Sequence, residues 1–348
     1  MSLSVDIEKR MGDFHLEVRF EAEGETLALL GASGCGKSVT LKCVAGILTP
    51  DRGRITLDGV TLFDSAAKID LPPQKRRVGY LFQQYALFPN MTVRQNIAAA
   101  VRDRRQRASV AADKLRQFQL EAVADLRPGQ LSGGQQQRCA LARILASEPG
   151  AILLDEPFSA LDSYLKHQLE LELWETLSAF PGPVIWVSHD RGEVLRNCPR
   201  VCVMDQGRSQ AVRPMADLMA RPGTEAAARL SGCENFADAL PRDGGVYVPA
   251  WGVTLACESP VPEQVRRAGI RARSLRLAEA GAENAFACRV VRVVEDVNAL
   301  TVLLRPEAAA ADALPIRMEA DRETWTARAG ETVTVAADPG GILPLEQQ

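Results

Sequence analysis

A glycine-rich segment at residues 31–38, with the sequence GASGCGKS, constrains this 348-residue chain more than any other feature. The apolar run Thr26–Gly31 leads into it, and a helical pattern at residues 38–47 follows it. A short apolar run of this kind is typical of a buried strand. Glycines let successive backbone N–H groups face one anion, and a helix start adds the positive end of its dipole. The sequence therefore predicts a strand, a phosphate-binding loop and a helix in succession.

The residue types in this loop suit a nucleoside triphosphate bound with Mg²⁺. We expect the Lys37 ammonium to pair with the β- and γ-phosphates and the Ser38 hydroxyl to coordinate the metal. The predicted nucleotide-binding residues here are Gly31, Ser33, Gly34, Cys35, Gly36, Lys37, Ser38 and Val39. ATP and Mg²⁺ are accordingly the expected cofactors.

A second apolar run, at residues 151–154, ends in the carboxylates Asp155 and Glu156. Such a strand would hold Asp155 near the metal, directly or through water. Glu156 would then orient and polarise the attacking water. Acids capping a strand are common on their own, but in a chain with a phosphate-binding loop they predict hydrolysis of the bound triphosphate.

Residues 131–135, with the sequence LSGGQ, predict a helix over residues 135–147 whose start offers a hydroxyl and bare N–H groups to an anion. Two phosphate cradles cannot bind one nucleotide from the same side. The segment resembles the signature sequence of the ATP-binding-cassette (ABC) ATPases. That resemblance implies a head-to-tail pair of chains, in which each signature caps the γ-phosphate in the other's loop. It assigns nucleotide binding to Ser132, Gly133, Gly134 and Gln135.

Three shorter segments resemble further ABC elements. Gln83, rather than Gln84, corresponds to the Q-loop glutamine, which contacts metal and water and senses a membrane partner. Residues 159–162 resemble the D-loop at the dimer interface, which makes Asp162 a nucleotide-site residue, and His189 resembles the switch histidine. The resemblance thus implies the catalytic residues Glu156, His189 and Gln83 and the metal ligands Ser38, Gln83 and Asp155.

The sequence leaves several alternatives for the residue that stacks on the base. ABC cassettes usually provide an aromatic side chain upstream of the phosphate-binding loop. Phe14 is the only phenylalanine, tyrosine or tryptophan before Phe20, but its alternation with Leu16 and Val18 predicts a buried strand face. Phe14, Met11 and the absence of any stacking residue remain alternatives.

Strands that end in functional loops predict an α/β fold with a largely parallel sheet over residues 1–230. The family resemblance adds a helical subdomain to this ABC nucleotide-binding domain. From residue 231, short alternating segments separated by Gly, Pro and Asp predict a small β-rich domain, 231–348. Residues 269–275 and 284–294 resemble the TOBE regulatory domain, an OB-like β-fold that follows importer cassettes.

Residues 85–93 closely resemble the corresponding stretch of bacterial import ATPases, where apolar side chains receive a permease helix. The resemblance implies a peripheral subunit at the cytoplasmic face of the membrane. Its partners would be a second copy, transmembrane permease subunits and, indirectly, an external solute-binding protein. A soluble ABC ATPase without transport function is the alternative. A net charge of −3 gives no reason to expect a nucleic-acid partner.

The substrate is indicated by resemblance alone. Residues 229–235, with the sequence RLSGCEN, and the compact tail resemble molybdate-importer ATPases. This implies molybdate or tungstate as the imported ion, and a tail that binds a regulatory oxyanion. Sulfate, another inorganic ion, a polyamine or a sugar remain alternatives.

Overall fold

The computed structural model describes residues 1–159, 163–295 and 299–346. The chain forms two compact units, Met1–Met215 and Ala216–Gln348. The second unit begins before the predicted residue 231, because the helix Glu225–Leu230 belongs to it. Ala228 on that helix is buried in a cluster with Leu343 and Leu345.

The described part of the first unit is built on a mixed 12-stranded sheet. Its strands are β1 (Ser2–Met11), β2 (Phe14–Glu23), β3 (Thr26–Gly31), β4 (Arg52–Leu57), β5 (Val60–Asp64), β6 (Ile69–Asp70), β7 (Val78–Leu81), β8 (Ala151–Asp155), β9 (Val184–Val187), β10 (Arg200–Asp205), β11 (Arg208–Ser209) and β12 (Arg213–Pro214). They lie in the order β6-β5-β4-β1-β2-β11-β10-β3-β9-β8-β7, and β12 also pairs with β10. The strands from β10 to β7 run parallel, whereas β1, β2, β4, β5 and β6 pair antiparallel.

The parallel strands position the candidate site. Strands β3, β8 and β9 are apolar and almost wholly buried, as expected where a parallel sheet is covered on both faces. Their carboxyl ends lie at the same edge of the sheet, and they lead into the loop at residues 31–38, into Glu156 and toward His189. The predicted α/β fold with a largely parallel sheet is confirmed for this part of the unit.

Helices α1 to α6 complete the first unit. They are α1 (Lys37–Ala45), α2 (Val93–Ala100), α3 (Arg107–Gln117), α4 (Gly133–Ala146), α5 (Ser163–Ser178) and α6 (Arg191–Asn197). Helices α2, α3 and α4 follow β7 in the chain and pack on one another, which confirms the helical subdomain. None of the helices in the described residues is long and apolar enough to cross a membrane.

The second unit is β-rich, as predicted. Its elements are α7 (Met215–Ala220), α8 (Glu225–Leu230), β13 (Asn235–Asp238), β14 (Leu240–Arg242), β15 (Gly245–Val248), β16 (Val253–Ala256), β17 (Val265–Ile270), β18 (Leu275–Leu277), β19 (Ala285–Glu295), β20 (Leu300–Pro306), β21 (Ile316–Ala320), β22 (Thr332–Ala337) and β23 (Ile342–Glu346). The largest sheet has the order β18-β22-β19-β20-β21, and two three-stranded sheets are β13-β17-β23 and β14-β15-β16. This arrangement fits the TOBE/OB-like domain that the sequence indicates.

Arg76 fixes the C-terminal end of α1, the helix that begins in the phosphate-binding loop. Its guanidinium is buried and donates to the carbonyl oxygens of Cys43 at 2.7 Å and Val44 at 3.0 Å. It also donates to Asp70 at 2.6 Å. Gly46 ends the helix with φ 79, and a Cβ there would lie 2.5 Å from Arg76 Nε. Arg76 therefore satisfies carbonyl groups that every helix end leaves without an intrahelical partner.

We expect Arg76→Met to lower the free energy of unfolding of the first unit by about 3 kcal/mol, because buried carbonyls and a carboxylate lose their donor. Denaturant unfolding followed by helical circular dichroism measures this, since helices α1 to α6 belong to that unit. The matched control is Arg94→Met, which removes an exposed ion pair with Asp125 and should cost less than about 1 kcal/mol. Equal losses in the two variants would contradict the role given to Arg76.

Candidate nucleotide-binding site

Two glycines give the loop between β3 and α1 its shape. Gly36 has φ 104, in the left-handed region, and a Cβ there would lie 2.5 Å from Leu16 Cδ1 and 3.1 Å from Phe14 Cζ. A Cβ at Gly31 would lie 2.3 Å from the Met204 carbonyl oxygen. Neither position has room for a side chain, so the close turn of the backbone depends on glycine at both.

The Lys37 side chain lies inside the loop. It is 7% exposed, and its ammonium donates to the carbonyl oxygens of Gly31 at 2.7 Å and Ala32 at 2.9 Å. The Cys35 sulfur lies 3.6 Å from the same nitrogen. An ammonium has three N–H donors, so the loop itself can occupy all of them. The positive charge is thus held against the backbone of the predicted phosphate-binding loop.

Asp155 joins the end of β8 to the start of α1. The Ser38 hydroxyl donates to Asp155 Oδ1 at 2.8 Å, and the Tyr80 hydroxyl donates to Oδ2 at 2.8 Å. Burial, and next the Asp155 carboxylate, hold the pKa of Tyr80 well above its usual range, so Tyr80 remains a hydrogen-bond donor. The structure therefore brings together two of the three predicted metal ligands, Ser38 and Asp155. Sequence reasoning missed Tyr80, which lies on the neighbouring strand β7.

Glu156 and His189 follow neighbouring strands and meet at the sheet edge. Glu156 Oε1 lies 3.4 Å from His189 Nδ1, and the Glu156 N–H donates to the Val187 carbonyl oxygen at 2.9 Å. Glu156 has φ 49, which is uncommon for a residue with a side chain. The Ser159 hydroxyl donates to the Glu156 carbonyl oxygen at 3.1 Å and braces this conformation. Backbone strain of this kind is concentrated at functional sites.

A network of ion pairs fixes the segment next to His189. Asp190 caps α6 by accepting from the Glu193 N–H at 3.2 Å. From α5, Lys166 Nζ lies 2.5 Å from Asp190 Oδ2 and 3.1 Å from Glu193 Oε2. The Trp186 ring N–H donates to Glu193 at 2.7 Å, and burial raises the pKa of the Glu193 carboxyl. Sequence reasoning missed this network, which ties the start of α6 to α5.

The signature segment opens α4. The Ser132 hydroxyl accepts from the Gln135 N–H at 3.3 Å, and the Gln135 side chain accepts from the Ser132 N–H at 2.9 Å. This capping box starts the helix at Gly133 rather than at the predicted residue 135, with Gly134 buried in its first turn. No hydrogen bond or ion pair among the described residues joins the signature residues 132–135 to the loop at 31–38.

One further predicted residue, Gln83, stays apart from this cluster. Gln83 lies exposed in the turn after β7, and no hydrogen bond in the described chain joins it to Ser38 or Asp155. Asp162 and its neighbours at 160–161 lie outside the described residues. Val39, on α1, packs its partly buried side chain against the core.

A cleft of about 500 Å³ opens beside the loop. Ser33, Gly34 and Cys35 line it on the loop side, and Phe14 and His15 line it from β2. Small-molecule sites are commonly concave, with apolar or aromatic walls beside a few polar groups. A flat ring beside a phosphate-binding loop suits a nucleobase.

The residues that line this cleft distinguish between the candidates for stacking on the base. Met11 lies opposite Phe14 in the β1–β2 pairing but does not line the cleft. Phe14 contacts both the cleft and the loop near Gly36, while His15, which sequence reasoning passed over, is the second ring present. Phe14 is therefore the first candidate and His15 the second.

Comparison with known proteins places this geometry in a family. The ABC transporter family matches residues 15–159. The spermidine/putrescine import ATP-binding protein PotA of Rubrobacter xylanophilus is 36% identical over 98% of this chain and 92% of its own length. This chain belongs to the ABC transporter family. The molybdenum import ATP-binding protein ModC of Rhizobium etli is 34% identical over 84% of each chain.

Other relatives match only part of their length. ModC of Paramagnetospirillum magneticum is 39% identical over 64% of this chain, and the match spans 61% of that protein. Among solved structures, the dimeric structure of MJ0796, a bacterial ABC transporter cassette, matches 62% of this chain and 99% of its own at 28% identity. The TM-score is 0.51. A post-hydrolysis state of the same cassette bound to ADP and Pi matches equally well.

We expect Phe14→Ala to weaken ATP binding about tenfold, because stacking on an aromatic ring contributes about 1–3 kcal/mol per base. Binding of inorganic tripolyphosphate, which has no base, should not change. Calorimetric titration with both ligands measures the difference, and His15→Ala is the matched variant. A selective loss of ATP binding in His15→Ala alone would contradict the assignment of Phe14.

Proposed function

We propose that this cassette is the ATP-hydrolysing subunit of a bacterial ABC importer that couples hydrolysis by a cassette dimer to uptake of an oxyanion. The observation that carries the proposal is a convergence at one sheet edge. Ser38, in the first turn of α1, contacts Asp155 at the end of β8, and Glu156 contacts His189 just after the ends of β8 and β9. Together they bring two of the three predicted metal ligands beside the predicted hydrolytic pair.

The residues fit ATP with Mg²⁺. The metal prefers oxygen ligands and is usually held by one or two carboxylates together with substrate phosphates. Ser38 and Asp155 offer such oxygens 2.8 Å apart, and no larger cluster of carboxylate, histidine or cysteine ligands occurs among the described residues. Bound Mg²⁺ would neutralise phosphate charge. Tyr80 would keep the Asp155 carboxylate oriented toward Ser38, because it holds the other oxygen.

Hydrolysis is assigned to Glu156, which would hold the attacking water in line with the γ-phosphate. His189, 3.4 Å away, would contact the γ-phosphate, and Lys37 would balance the charge that develops on it. Gln83 is proposed to reach the metal and water from its exposed turn. The ion pairs of Lys166 would hold the His189 segment in place during this step.

The site is proposed to be completed by a second copy. Within one chain, Ser132 and Gln135 are bonded to each other and not to the phosphate-binding loop. Ser132 is exposed at the start of α4, where an anion would meet the positive end of the helix. A head-to-tail dimer would bring this end to the γ-phosphate of the other copy, with Asp162 at the same interface. Solved structures similar to this cassette are dimeric.

The proposed partners in the membrane are permease subunits. Phe88 is 47% exposed and Met91 is 38% exposed, in the segment that follows Gln83. Such an apolar surface suits a short permease helix. The cassette would then lie at the cytoplasmic face of the membrane as a peripheral subunit, and a solute-binding protein would deliver the substrate from outside.

For the substrate we propose molybdate or tungstate. ModC relatives support this, and so does a basic cleft of about 660 Å³ in the second unit. Arg292, Arg322 and Arg328 line that cleft with one carboxylate, from Glu295, so a regulatory oxyanion would meet net positive charge there.

Polyamine import is the second candidate. A PotA protein matches 98% of this chain. In addition, Glu234, Asp238 and Asp312 line a separate cleft of about 330 Å³ in the second unit with the single cation Arg267, a charge balance that suits a polyamine.

Reconstitution with the permease subunits that co-purify with the chain tests the proposal. We expect ATP-dependent accumulation of labelled molybdate that tungstate inhibits and spermidine does not. Glu156→Gln should bind ATP normally but lower turnover and accumulation at least about a hundredfold, because a positioned general base contributes about 10²–10⁴-fold.

Each alternative outcome has a separate meaning. Steady-state hydrolysis retained by Glu156→Gln would remove Glu156 from its role. Accumulation of spermidine instead of molybdate would replace the oxyanion by a polyamine. Co-purification with DNA or ribosomes and with no membrane protein would contradict the importer function itself.

A further inference from the structure

Arg143 links the two chain connections between the sheet and the helical subdomain. The first connection leaves β7 through Gln83, and the second is the end of α4, which leads to β8. From α4, Arg143 Nη1 donates to the Ala86 carbonyl oxygen at 2.8 Å, and Nη2 donates to the Tyr85 carbonyl oxygen at 3.2 Å. Its guanidinium carbon also lies 5.1 Å from the centroid of the Phe88 ring. The Arg143 side chain thus joins the segment that leaves β7 to the end of α4, which leads back to β8.

The segment that Arg143 contacts has an uncommon backbone. Tyr85 has φ 58 and Ala86 has φ 46, so two consecutive residues with side chains occupy the left-handed region. Such residues persist only where their surroundings fix them. The Tyr85 ring is buried, and its hydroxyl has no hydrogen-bond partner among the described residues. The turn therefore retains two unfavourable features, the left-handed backbone and the Tyr85 hydroxyl without a hydrogen bond. Arg143 donates to the carbonyl groups of both left-handed residues.

The charge of Arg143 is balanced without a carboxylate. Burial lowers the pKa of its guanidinium, and none of the ion pairs among the described residues includes it. A partly buried cation without a carboxylate partner is costly unless its N–H groups are bonded. Carbonyl oxygens and the Phe88 ring supply that stabilisation here. The contact therefore depends on the turn keeping its left-handed shape.

Helix α4 carries this contact to the signature segment. It is continuous from Gly133 to Ala146, and Ser132 caps its first turn. At the other end, Ile144 packs so closely on β7 that a Cβ at Gly79 would lie 2.4 Å from Ile144 Cγ2. A displacement of the turn would therefore act on one rigid element that ends at the proposed γ-phosphate contact.

We propose that Arg143 is a positioning residue that couples the permease-facing segment at residues 85–88 to the signature at Ser132. This inference rests on the proposed import function. It assigns to Arg143 the transmission between permease docking and hydrolysis, and no part in binding ATP. A purely local brace of the turn would instead affect hydrolysis with and without the permease in the same proportion.

The test compares Arg143→Met and Arg143→Lys with the wild-type chain, alone and reconstituted with its permease. In Arg143→Met we expect ATP affinity and basal hydrolysis within about twofold of wild type. Stimulation by the permease should fall about tenfold, within the range found for residues that couple two sites. Arg143→Lys keeps the charge but lacks the planar fork that reaches two carbonyl groups, so it should recover only part of the stimulation.

Arg116→Met, which removes an exposed ion pair with Asp113 on α3, is the surface control and should leave both rates unchanged. A proportional loss of basal and stimulated hydrolysis in Arg143→Met would overturn the proposal, and so would unchanged stimulation. If Arg143→Met fails to fold, Arg143→Lys decides, because full stimulation in that variant contradicts a role for the fork. Wild-type chain without any hydrolysis would contradict the proposed function instead.

Discussion

The hydrogen bond from Ser38 to Asp155 joins residues 117 positions apart, and the rest of the site depends on the arrangement that makes it possible. Ser38 follows β3 and Asp155 ends β8, while β9 lies between these two strands and pairs with both in parallel. Parallel strands end at the same edge of a sheet, so this order also brings His189 to Glu156. The phosphate-binding loop alone would bind a triphosphate. The strand order places the proposed metal ligand Asp155 and the proposed hydrolytic pair, Glu156 and His189, beside it.

Much of this arrangement could be predicted, because it is encoded locally. The strand Thr26–Gly31 has the bounds that its apolar run indicates, and the strand Ala151–Asp155 covers the apolar run at residues 151–154, since a strand buried on both faces needs a continuous apolar sequence. The glycines of the loop mark the backbone turn directly. Short alternating segments also indicated the β-rich second unit, where β19 (Ala285–Glu295) covers most of the segment at residues 284–294 that resembles the TOBE domain.

What could not be predicted depends on neighbours that are distant in sequence. Tyr80 reads as an ordinary strand residue until the β7–β8 register places it beside Asp155. The ion pairs of Lys166 require α5 and α6 to pack together. The second unit begins before residue 231 because α8 packs within it. The left-handed backbone of Tyr85 and Ala86 had no sequence signal either, because neither residue type favours it. The Tyr80 hydrogen bond and the Lys166 ion pairs lie beside the site, where local preference commonly yields to function.

Each hydrolytic site is proposed to take its loop from one copy and its signature from another. Mixing two inactive variants tests it most directly. Lys37→Ala disables the loop, and Ser132→Arg blocks the signature. Each variant alone should be inactive, whereas an equal mixture should recover roughly a quarter of the wild-type hydrolysis rate, because half of randomly formed dimers are mixed and each has one intact site. Mixed dimers, verified by cross-linking, that show no hydrolysis would contradict the account.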